Sequence, residues 1–145
     1  MKPLTEQEPK IICGFAGIGK STTARQVAGV VDLESTPFRR DWSTYARVAK
    51  HMLDSGYVVL VSCHSELREE LRRHGTKYEL WLPVDDQRDK YIQRYRERGS
   101  GDDFIELMSS NWDEFRQVKD WEEVILVKDN LLDTLVRQRN QGEME

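Results

Sequence analysis

A glycine-rich segment near the N-terminus carries the clearest chemistry of the sequence. Residues 14–21 read GFAGIGKS and match the pattern G-x-x-x-x-G-K-[ST]. Glycines in such a loop let backbone amides turn toward phosphate groups, because a Cβ would obstruct either the dihedral angles or the approach. Lys20 is expected to reach the outer phosphates, and the Ser21 hydroxyl is expected to bind Mg²⁺. The segment therefore predicts a site for a nucleoside triphosphate.

The sequence on either side of the segment supports this interpretation. The apolar run from Lys10 to Cys13 predicts a strand, and a helix is predicted from Lys20 to about Ala28. The first turn of that helix presents free N–H groups and a positive dipole to an anion. A glycine-rich turn without a ligand is the alternative. The predicted nucleotide-binding residues are Gly14, Phe15, Ala16, Gly17, Ile18, Gly19, Lys20, Ser21 and Thr22.

Two acids follow the second predicted strand, Val30 to Leu33. A carboxylate at Asp32 could accept the proton of an acceptor hydroxyl, or it could be an ordinary acid in a turn at the end of a strand. Glu34 could contribute to the magnesium shell or contact the acceptor. Arg39 and Arg40 are candidate contacts for an acceptor phosphate, with a solvated loop as the alternative.

The third predicted strand, Tyr57 to Val61, ends in Ser62, Cys63 and His64 rather than in an acid. This favours Mg²⁺ binding by Ser21, water and Asp32, and it argues against a motor-type ATPase, which needs an acid at this point to set the hydrolytic water. His64 and Arg68 are further candidate contacts for the acceptor. A single histidine is more often structural than functional.

Paired arginines occur late in the sequence. Arg94 and Arg98 are four residues apart on a helix predicted to run from an Asp86 cap to Gly99. Their guanidinium groups could offset the charge of a transferring phosphoryl group. The alternative is a solvated basic face balanced by nearby acids.

Strands and helices alternate along the whole sequence, which predicts an α/β fold with three layers and a parallel sheet covered on both faces. Such sheets bind ligands at the carboxyl ends of their strands. One domain is expected over residues 1–140, followed by a frayed tail at 141–145. The remaining predicted elements are a helix from Asp41 to Gly56, a helix from Ser65 to His74, a strand from Tyr78 to Leu82, a helix from Phe104 to Val118, a strand from Val124 to Val127 and a helix from Leu131 to Arg139.

Composition limits the function further. The 145 residues include 22 basic and 26 acidic side chains, giving a net charge of −4, so the surface as a whole is not built to attract polyanions. Short apolar runs and the lack of a signal-peptide pattern predict a cytoplasmic protein that does not bind membranes. The helical spacing of the aromatic residues in the C-terminal half favours the core over stacking on bases. These residues are Tyr91, Tyr95, Phe104, Trp112, Phe115 and Trp121.

The sequence resembles the P-loop kinases of nucleotides, nucleosides and nucleic-acid ends over nearly its whole length. GFAGIGKST looks like the opening of this group, and residues 91–108, with the spacing R-x-x-x-R-G, are similar to the lid of phage-type polynucleotide 5′-hydroxyl kinases. The resemblance implies a five-stranded parallel sheet and a short helical lid at about 86–103. It also implies that Arg94 and Arg98 clamp the transferring group and that Asp32 acts on the acceptor.

The first functional hypothesis is therefore an ATP- and Mg²⁺-dependent kinase that phosphorylates a hydroxyl on a nucleotide or nucleic acid. The acceptor could be a 5-hydroxymethylpyrimidine in DNA, as in phage DNA-modifying kinases, or a 5′-hydroxyl end. The localisation would then be the cytoplasm, including that of an infected bacterial host. A deoxynucleoside monophosphate kinase of the thymidylate or adenylate kinase type, using Arg39, Arg40 or Arg68 on the acceptor phosphate, is the alternative. A non-catalytic nucleotide-binding module is the third hypothesis. The sequence does not determine the oligomeric state.

Overall fold

Five parallel strands form a single sheet, and the computed structural model describes residues 8–144 of the chain. The strand order is β2-β3-β1-β4-β5, so the first strand is central. From β1 the chain passes to the edge strand β2, returns to β3 beside β1, and then continues to β4 and β5 on the other side. The loop after β1 therefore meets the ends of β2 and β3 at one edge, where parallel sheets bind ligands. The strands are β1 (Ile11–Gly14), β2 (Val30–Asp32), β3 (Val58–Ser62), β4 (Glu79–Pro83) and β5 (Glu123–Val127).

Helices connect consecutive strands, as the predicted α/β architecture requires. The boundary of α2 shows how the sequence sets an element: the Asp41 carboxylate accepts a hydrogen bond from the Thr44 backbone N–H at 3.1 Å and caps the first turn. Short 3₁₀ turns occupy Thr36–Phe38 and Asp85–Gln87. The helices are α1 (Lys20–Gln26), α2 (Trp42–Asp54), α3 (Ser65–Arg73), α4 (Arg88–Glu97), α5 (Asp102–Ser110), α6 (Trp112–Phe115) and α7 (Leu131–Met144).

Three features differ most from the sequence prediction, and the other element boundaries lie within two residues of it. Asp86 lies in a 3₁₀ turn with φ −90° and ψ 19°, so it does not cap α4. The helix predicted over 104–118 is divided at Asn111, whose φ of −117° leaves the helical region, and it ends at Phe115. The last helix continues to Met144 where a frayed tail was predicted from residue 141. Residue 145 lies outside the described residues.

The core lies on both faces of the central strands. Every residue of β1 is buried, as are the first four of β3, which explains their continuous apolar character. Phe15, Tyr91 and Trp112 pack edge to face, with ring centroids 5.1–6.0 Å apart. Trp121, also predicted to be in the core, is 41% exposed and lies under the Arg72 guanidinium. None of the helices within residues 8–144 has the length and apolar character of a membrane-spanning segment.

Candidate functional site

The glycine-rich segment forms a tight loop between β1 and α1, as predicted. Gly17 and Gly19 have φ angles of 85° and 108°, in the left-handed region that other residues rarely adopt. A Cβ on Gly17 would also lie 2.7 Å from Cε1 of Tyr95. Both positions therefore require glycine, one of them for two independent reasons.

Backbone groups of the loop divide into two sets. The N–H of Phe15 donates to the carbonyl of Trp81 and that of Ile18 to the carbonyl of Phe15, each at 3.1 Å. Both of these side chains are fully buried, so Phe15 and Ile18 shape the loop, and their N–H groups are already bonded within the protein. Within residues 8–144, no backbone carbonyl pairs with the N–H groups of Gly17, Gly19, Lys20, Ser21 or Thr22.

Lys20 folds back over the loop. Its Nζ donates to the carbonyl of Gly14 at 2.8 Å, and burial lowers the pKa of the ammonium group, an effect that nearby Asp32 partly opposes. Lys20 is partly buried, and a partly buried cation without an ion-pair partner is disfavoured, which a bound anion offsets. No carboxylate of the described residues lies within 4 Å of Nζ. The site is therefore suited to phosphate.

The loop borders a cavity of about 820 Å³ at the carboxyl edge of the sheet. This cavity brings together residues that are far apart in sequence and joins the loop to the ends of β2, β3 and α4. Seven predicted site residues beyond the loop glycines line it, namely Lys20, Ser21, Thr22, Asp32, Glu34, Arg94 and Arg98. Residues that were not predicted also line it, namely Arg25, Leu33, Ser35, Thr36, Tyr45, Ser62 and Glu97.

Asp32 is the last residue of β2 and pairs in register with Leu60 of β3. Its carboxyl group is half-buried, and burial raises its pKa above the ordinary value, with Lys20 opposing and Glu34 reinforcing the shift. A carboxylate with a raised pKa is a stronger base than one in water. Its position beside Lys20 suits it to take a proton from an acceptor bound in the cavity.

Tyr45 is a site residue that sequence reasoning missed. Its hydroxyl donates to the carbonyl of Leu33 and accepts from the N–H of Ser62 at 3.1 Å, so it bridges β2 and β3 just past Asp32. The helical spacing of α2 predicted only a core side chain. One signal in the sequence could have identified it: a tyrosine on the face of α2 that packs against the sheet has a hydroxyl that needs a hydrogen-bond partner, unlike a phenylalanine at the same position.

The two predicted lid arginines have different environments. Arg94 donates to the carbonyl of Gly17 at 3.0 Å and to that of Asp129, so its guanidinium is bound to backbone on both sides. Arg98 follows the end of α4, is exposed, and uses its Nε on the Ser100 hydroxyl at 2.9 Å. Its guanidinium lies over the rings of Tyr95 and Phe104, and within the described residues its other nitrogens have no hydrogen-bond partner. Arg98 is therefore the better placed of the two to meet a phosphoryl group.

Four predicted acceptor contacts do not line this cavity. Arg68 lines the second cavity instead, and its Nη1 lies 2.8 Å from both carboxylate oxygens of Glu122, so its charge is already paired. Arg39 and Arg40 are exposed on the turn before α2, with φ of 49° and 63°. His64 stacks on Trp42 with centroids 4.8 Å apart and points toward a second cavity.

The second cavity, of about 560 Å³, lies on the other side of the loop. Phe15 and Ala16 of the loop form part of its wall, together with apolar side chains of α5 such as Leu107 and Met108. His64 connects the two cavities, because its Nδ1 lies 2.9 Å from the Ser62 hydroxyl in the first one. A flat apolar group could bind here while a polar part of the same molecule lies near Asp32.

The donor set fits magnesium that arrives with a nucleotide. Within residues 8–144 there is no group of three or more side chains of the metal-binding types placed to hold an ion. Ser21 and Asp32 supply one hydroxyl and one carboxylate in the same cavity. Mg²⁺ in phosphoryl-transfer sites is commonly bound by one or two side chains, phosphate oxygens and water, and the residues present match that pattern.

Three solved structures share this fold. A tunicamycin resistance protein from Deinococcus radiodurans matches with a TM-score of 0.62 and 12% identity, covering 94% of this chain and 96% of its own. A sugar kinase from Janibacter sp. matches with a TM-score of 0.60 and 15% identity, covering 93% of each chain. A gluconokinase from Sinorhizobium meliloti matches with a TM-score of 0.56 and 18% identity, covering 94% of this chain and 93% of its own. No family model and no curated protein matches the sequence. The chain therefore shares the α/β fold of these three proteins.

Proposed function

We propose that the protein transfers the γ-phosphoryl group of ATP to an alcohol hydroxyl, with Asp32 as the general base. The observation that carries the proposal is the half-buried Asp32 carboxylate, with a raised pKa, in the same cavity as Lys20 and the glycine-rich loop. A phosphate acceptor is already ionised and needs no such base. The pairing of base and phosphate loop therefore favours a hydroxyl acceptor.

Each residue of the cavity has a role in this reaction. Asp32 accepts the proton of the acceptor hydroxyl as its oxygen bonds to the γ-phosphorus and the bond to the leaving ADP oxygen breaks. The free N–H groups of the loop and Lys20 hold the phosphate chain, and Arg98 offsets charge on the transferring group. Mg²⁺, when bound through the Ser21 hydroxyl, neutralises phosphate charge and orients the donor.

The acceptor side of the cavity favours a neutral group over a phosphate. Around Asp32 it is lined by Glu34, Ser35, Thr36 and Tyr45, which are acidic or hydroxyl-bearing. The three arginines predicted to hold an acceptor phosphate, Arg39, Arg40 and Arg68, do not line this cavity, and Arg68 is paired to Glu122. This distribution of charge favours the hydroxyl kinase over the deoxynucleoside monophosphate kinase.

We further propose that the acceptor hydroxyl belongs to a nucleotide or nucleic acid, such as a hydroxymethylpyrimidine or a 5′-hydroxyl end. Support comes from the second cavity beside His64, where Phe15, Leu107 and Met108 form an apolar wall that suits a flat ring, among a lining that also includes charged side chains. Sugars are the rival acceptor, because two proteins with this fold are a sugar kinase and a gluconokinase. A sugar would use the hydroxyl-bearing rim and leave the second cavity empty.

The test is transfer of label from γ-labelled ATP with Mg²⁺. Acceptors are offered in parallel: hydroxymethylpyrimidine-containing DNA, 5′-hydroxyl oligonucleotides, gluconate, simple sugars and deoxynucleoside monophosphates. Lys20→Met serves as a control that removes the loop cation in every version of the reaction. We expect label on a hydroxyl of DNA or of an oligonucleotide and none with the Lys20→Met variant.

Other outcomes contradict specific parts of the proposal. Label only on sugars retains the hydroxyl kinase and overturns the nucleic-acid acceptor. Label only on monophosphates overturns the role of Asp32 as base. Binding of ATP without transfer to any acceptor supports a non-catalytic nucleotide-binding module instead.

A further inference from the structure

Three consecutive carbonyl groups of the glycine-rich loop are held from outside the loop. The Tyr95 hydroxyl donates to the carbonyl of Ala16 at 2.6 Å. The Arg94 guanidinium donates to the carbonyl of Gly17 at 3.0 Å. The backbone N–H of Leu131 donates to the carbonyl of Ile18 at 2.8 Å. These donors come from α4 and α7, which lie far from the loop in sequence.

Holding these carbonyls fixes which way the loop's N–H groups face. A peptide unit is planar, so an external donor that holds its carbonyl on one side directs the N–H of the next residue to the other. Tyr95 holds the peptide that carries the N–H of Gly17, and Leu131 holds the peptide that carries the N–H of Gly19; neither N–H has a backbone partner in residues 8–144. Arg94 holds the peptide that carries the N–H of Ile18, which donates to the Phe15 carbonyl, so Arg94 stabilises the internal turn of the loop. The loop is thus held with donors directed away from α4.

Helix α4 also packs closely against the glycine-rich loop. The Gly17 Cα faces the Tyr95 ring so tightly that a Cβ would lie 2.7 Å from Cε1 of Tyr95. Arg94 also donates to the carbonyl of Asp129 in the connection before α7, which joins the two outer elements to one another. Tyr91 and Tyr95 are both fully buried one helical turn apart, so α4 packs firmly here.

We propose that Tyr95 and Arg94 are positioning residues that set the affinity of the loop for the phosphates of ATP. Tyr95 acts through the carbonyl of Ala16, and Arg94 acts through the carbonyl of Gly17. This inference rests on the proposed nucleotide site. Arg94 then belongs to the support of the loop rather than to a moving lid, and α4 moves with the loop as one unit. Arg98, beyond the end of α4, is the arginine that meets the transferring group.

The chain contains a matched control for Tyr95. Tyr91 lies one turn earlier on the same helix and is equally buried, but its hydroxyl has no hydrogen-bond partner within the described residues. Tyr95→Phe removes a hydroxyl that holds the loop, whereas Tyr91→Phe removes one that does not. The two variants are alike in size, helix and burial.

Titration calorimetry with ATP, in the presence and absence of Mg²⁺, measures the effect directly. We expect Tyr95→Phe to weaken ATP binding by about 3- to 10-fold, the range expected for one net hydrogen bond, and Tyr91→Phe to change it by less than about twofold. Hydrogen exchange of the loop amides in the free protein should quicken in Tyr95→Phe alone. At saturating ATP, kcat should stay within about twofold while KM for ATP rises, because the contact acts on binding.

Arg94 needs a variant that separates charge from geometry. Arg94→Lys keeps the positive charge, but one ammonium group cannot span the carbonyls of Gly17 and Asp129 as the guanidinium does. We expect Arg94→Lys to weaken ATP binding nearly as much as Arg94→Gln. Recovery of the original affinity in Arg94→Lys would assign Arg94 a purely electrostatic role and overturn its part in the proposal.

The outcomes separate this inference from the proposed function. Equal ATP affinity in Tyr95→Phe, Tyr91→Phe and the unmodified protein overturns the inference, even if the protein is a kinase. A selective loss in Tyr95→Phe supports the inference, even if no acceptor is phosphorylated. Failure of the unmodified protein to bind ATP overturns both.

Discussion

At the scale of single residues, the site combines a partly buried cation and a half-buried carboxylate. Burial lowers the pKa of Lys20 and raises that of Asp32, so both groups are less readily charged than in water. Each group partly offsets the pKa shift of the other, because their charges are opposite. Binding of a polyanion would favour the charged form of Lys20. The free site therefore stores an unfavourable charge arrangement that phosphate relieves.

Asp32→Asn tests the proposed base. The amide cannot accept the proton, so we expect kcat to fall by about 10²-fold or more while the dissociation constant for ATP changes little. In the unmodified protein, kcat/KM for the acceptor should fall as pH drops through the pKa of Asp32, because the base must be ionised. Since burial raises this pKa, the acid limb should lie above the ordinary carboxyl value of about 3.9.

The pH profile of the variant completes this test. Asp32→Asn should show a low rate without that acid limb, measured over the same pH range. A variant that keeps both the rate and the limb would show that another group titrates, and the role of Asp32 as base would be wrong.

At the scale of secondary-structure elements, a buried network joins β3, α3, β4 and β5. The Glu122 side chain, fully buried, accepts from Arg68 at 2.8 Å, from the Tyr78 hydroxyl at 2.6 Å and from the N–H of Lys119 at 2.8 Å. Arg68 also donates from Nε to the carbonyl of Cys63 at 3.0 Å, which fixes the turn after β3. This network holds the turn that follows Ser62 and pairs the Arg68 charge within the protein.

Glu122→Ala should destabilise the fold strongly, because it leaves the Arg68 charge buried and unpaired. We expect a loss of about 3 kcal/mol in the free energy of unfolding, measured by urea denaturation. The double variant Arg68→Met/Glu122→Leu removes both charges and should lose clearly less than Glu122→Ala. A loss below about 1 kcal/mol in Glu122→Ala would show that the ion pair contributes little.

At the scale of the whole molecule, charge limits how a polymer could bind. The net charge is −4, so long-range attraction to a nucleic acid must come from local groups. Arg39 and Arg40 are the candidates, since they lie exposed on the turn that follows Ser35 and Thr36 of the large cavity. Two adjacent non-glycine residues in the left-handed region cost about 1–2 kcal/mol each, and such strain is frequent at functional sites.

Salt dependence tests this view. If two phosphates of a single-stranded acceptor contact Arg39 and Arg40, the logarithm of kcat/KM should fall with the logarithm of salt concentration with a slope of about −1.4. Arg39→Gln/Arg40→Gln should bring the slope close to zero. Lys50→Gln/Arg73→Gln, which removes two exposed charges from α2 and α3, should leave it unchanged. Equal slopes in both double variants would exclude a specific role for Arg39 and Arg40.

The sequence by itself determined the fold class and the phosphate loop. The alternation of apolar runs with helical patterns requires crossover connections and hence a parallel sheet, and GFAGIGKS encodes its loop in eight adjacent residues. Both signals are local, so no knowledge of distant contacts was needed. The position of Asp32 beside Lys20 in one cavity also followed, because the ends of parallel strands meet at one edge.

Tertiary structure alone decided how the later residues are used. Arg68 was predicted to contact the acceptor and Arg94 to clamp the transferring group. In the structure, Arg68 binds Glu122, 54 residues away, and Arg94 binds the Gly17 carbonyl, 77 residues away. Tyr45 looked like a core residue until its hydroxyl was found between β2 and β3. Hydrogen bonds and ion pairs act over a few ångströms, so the partner that determines a polar side chain's role is known only once the chain has folded.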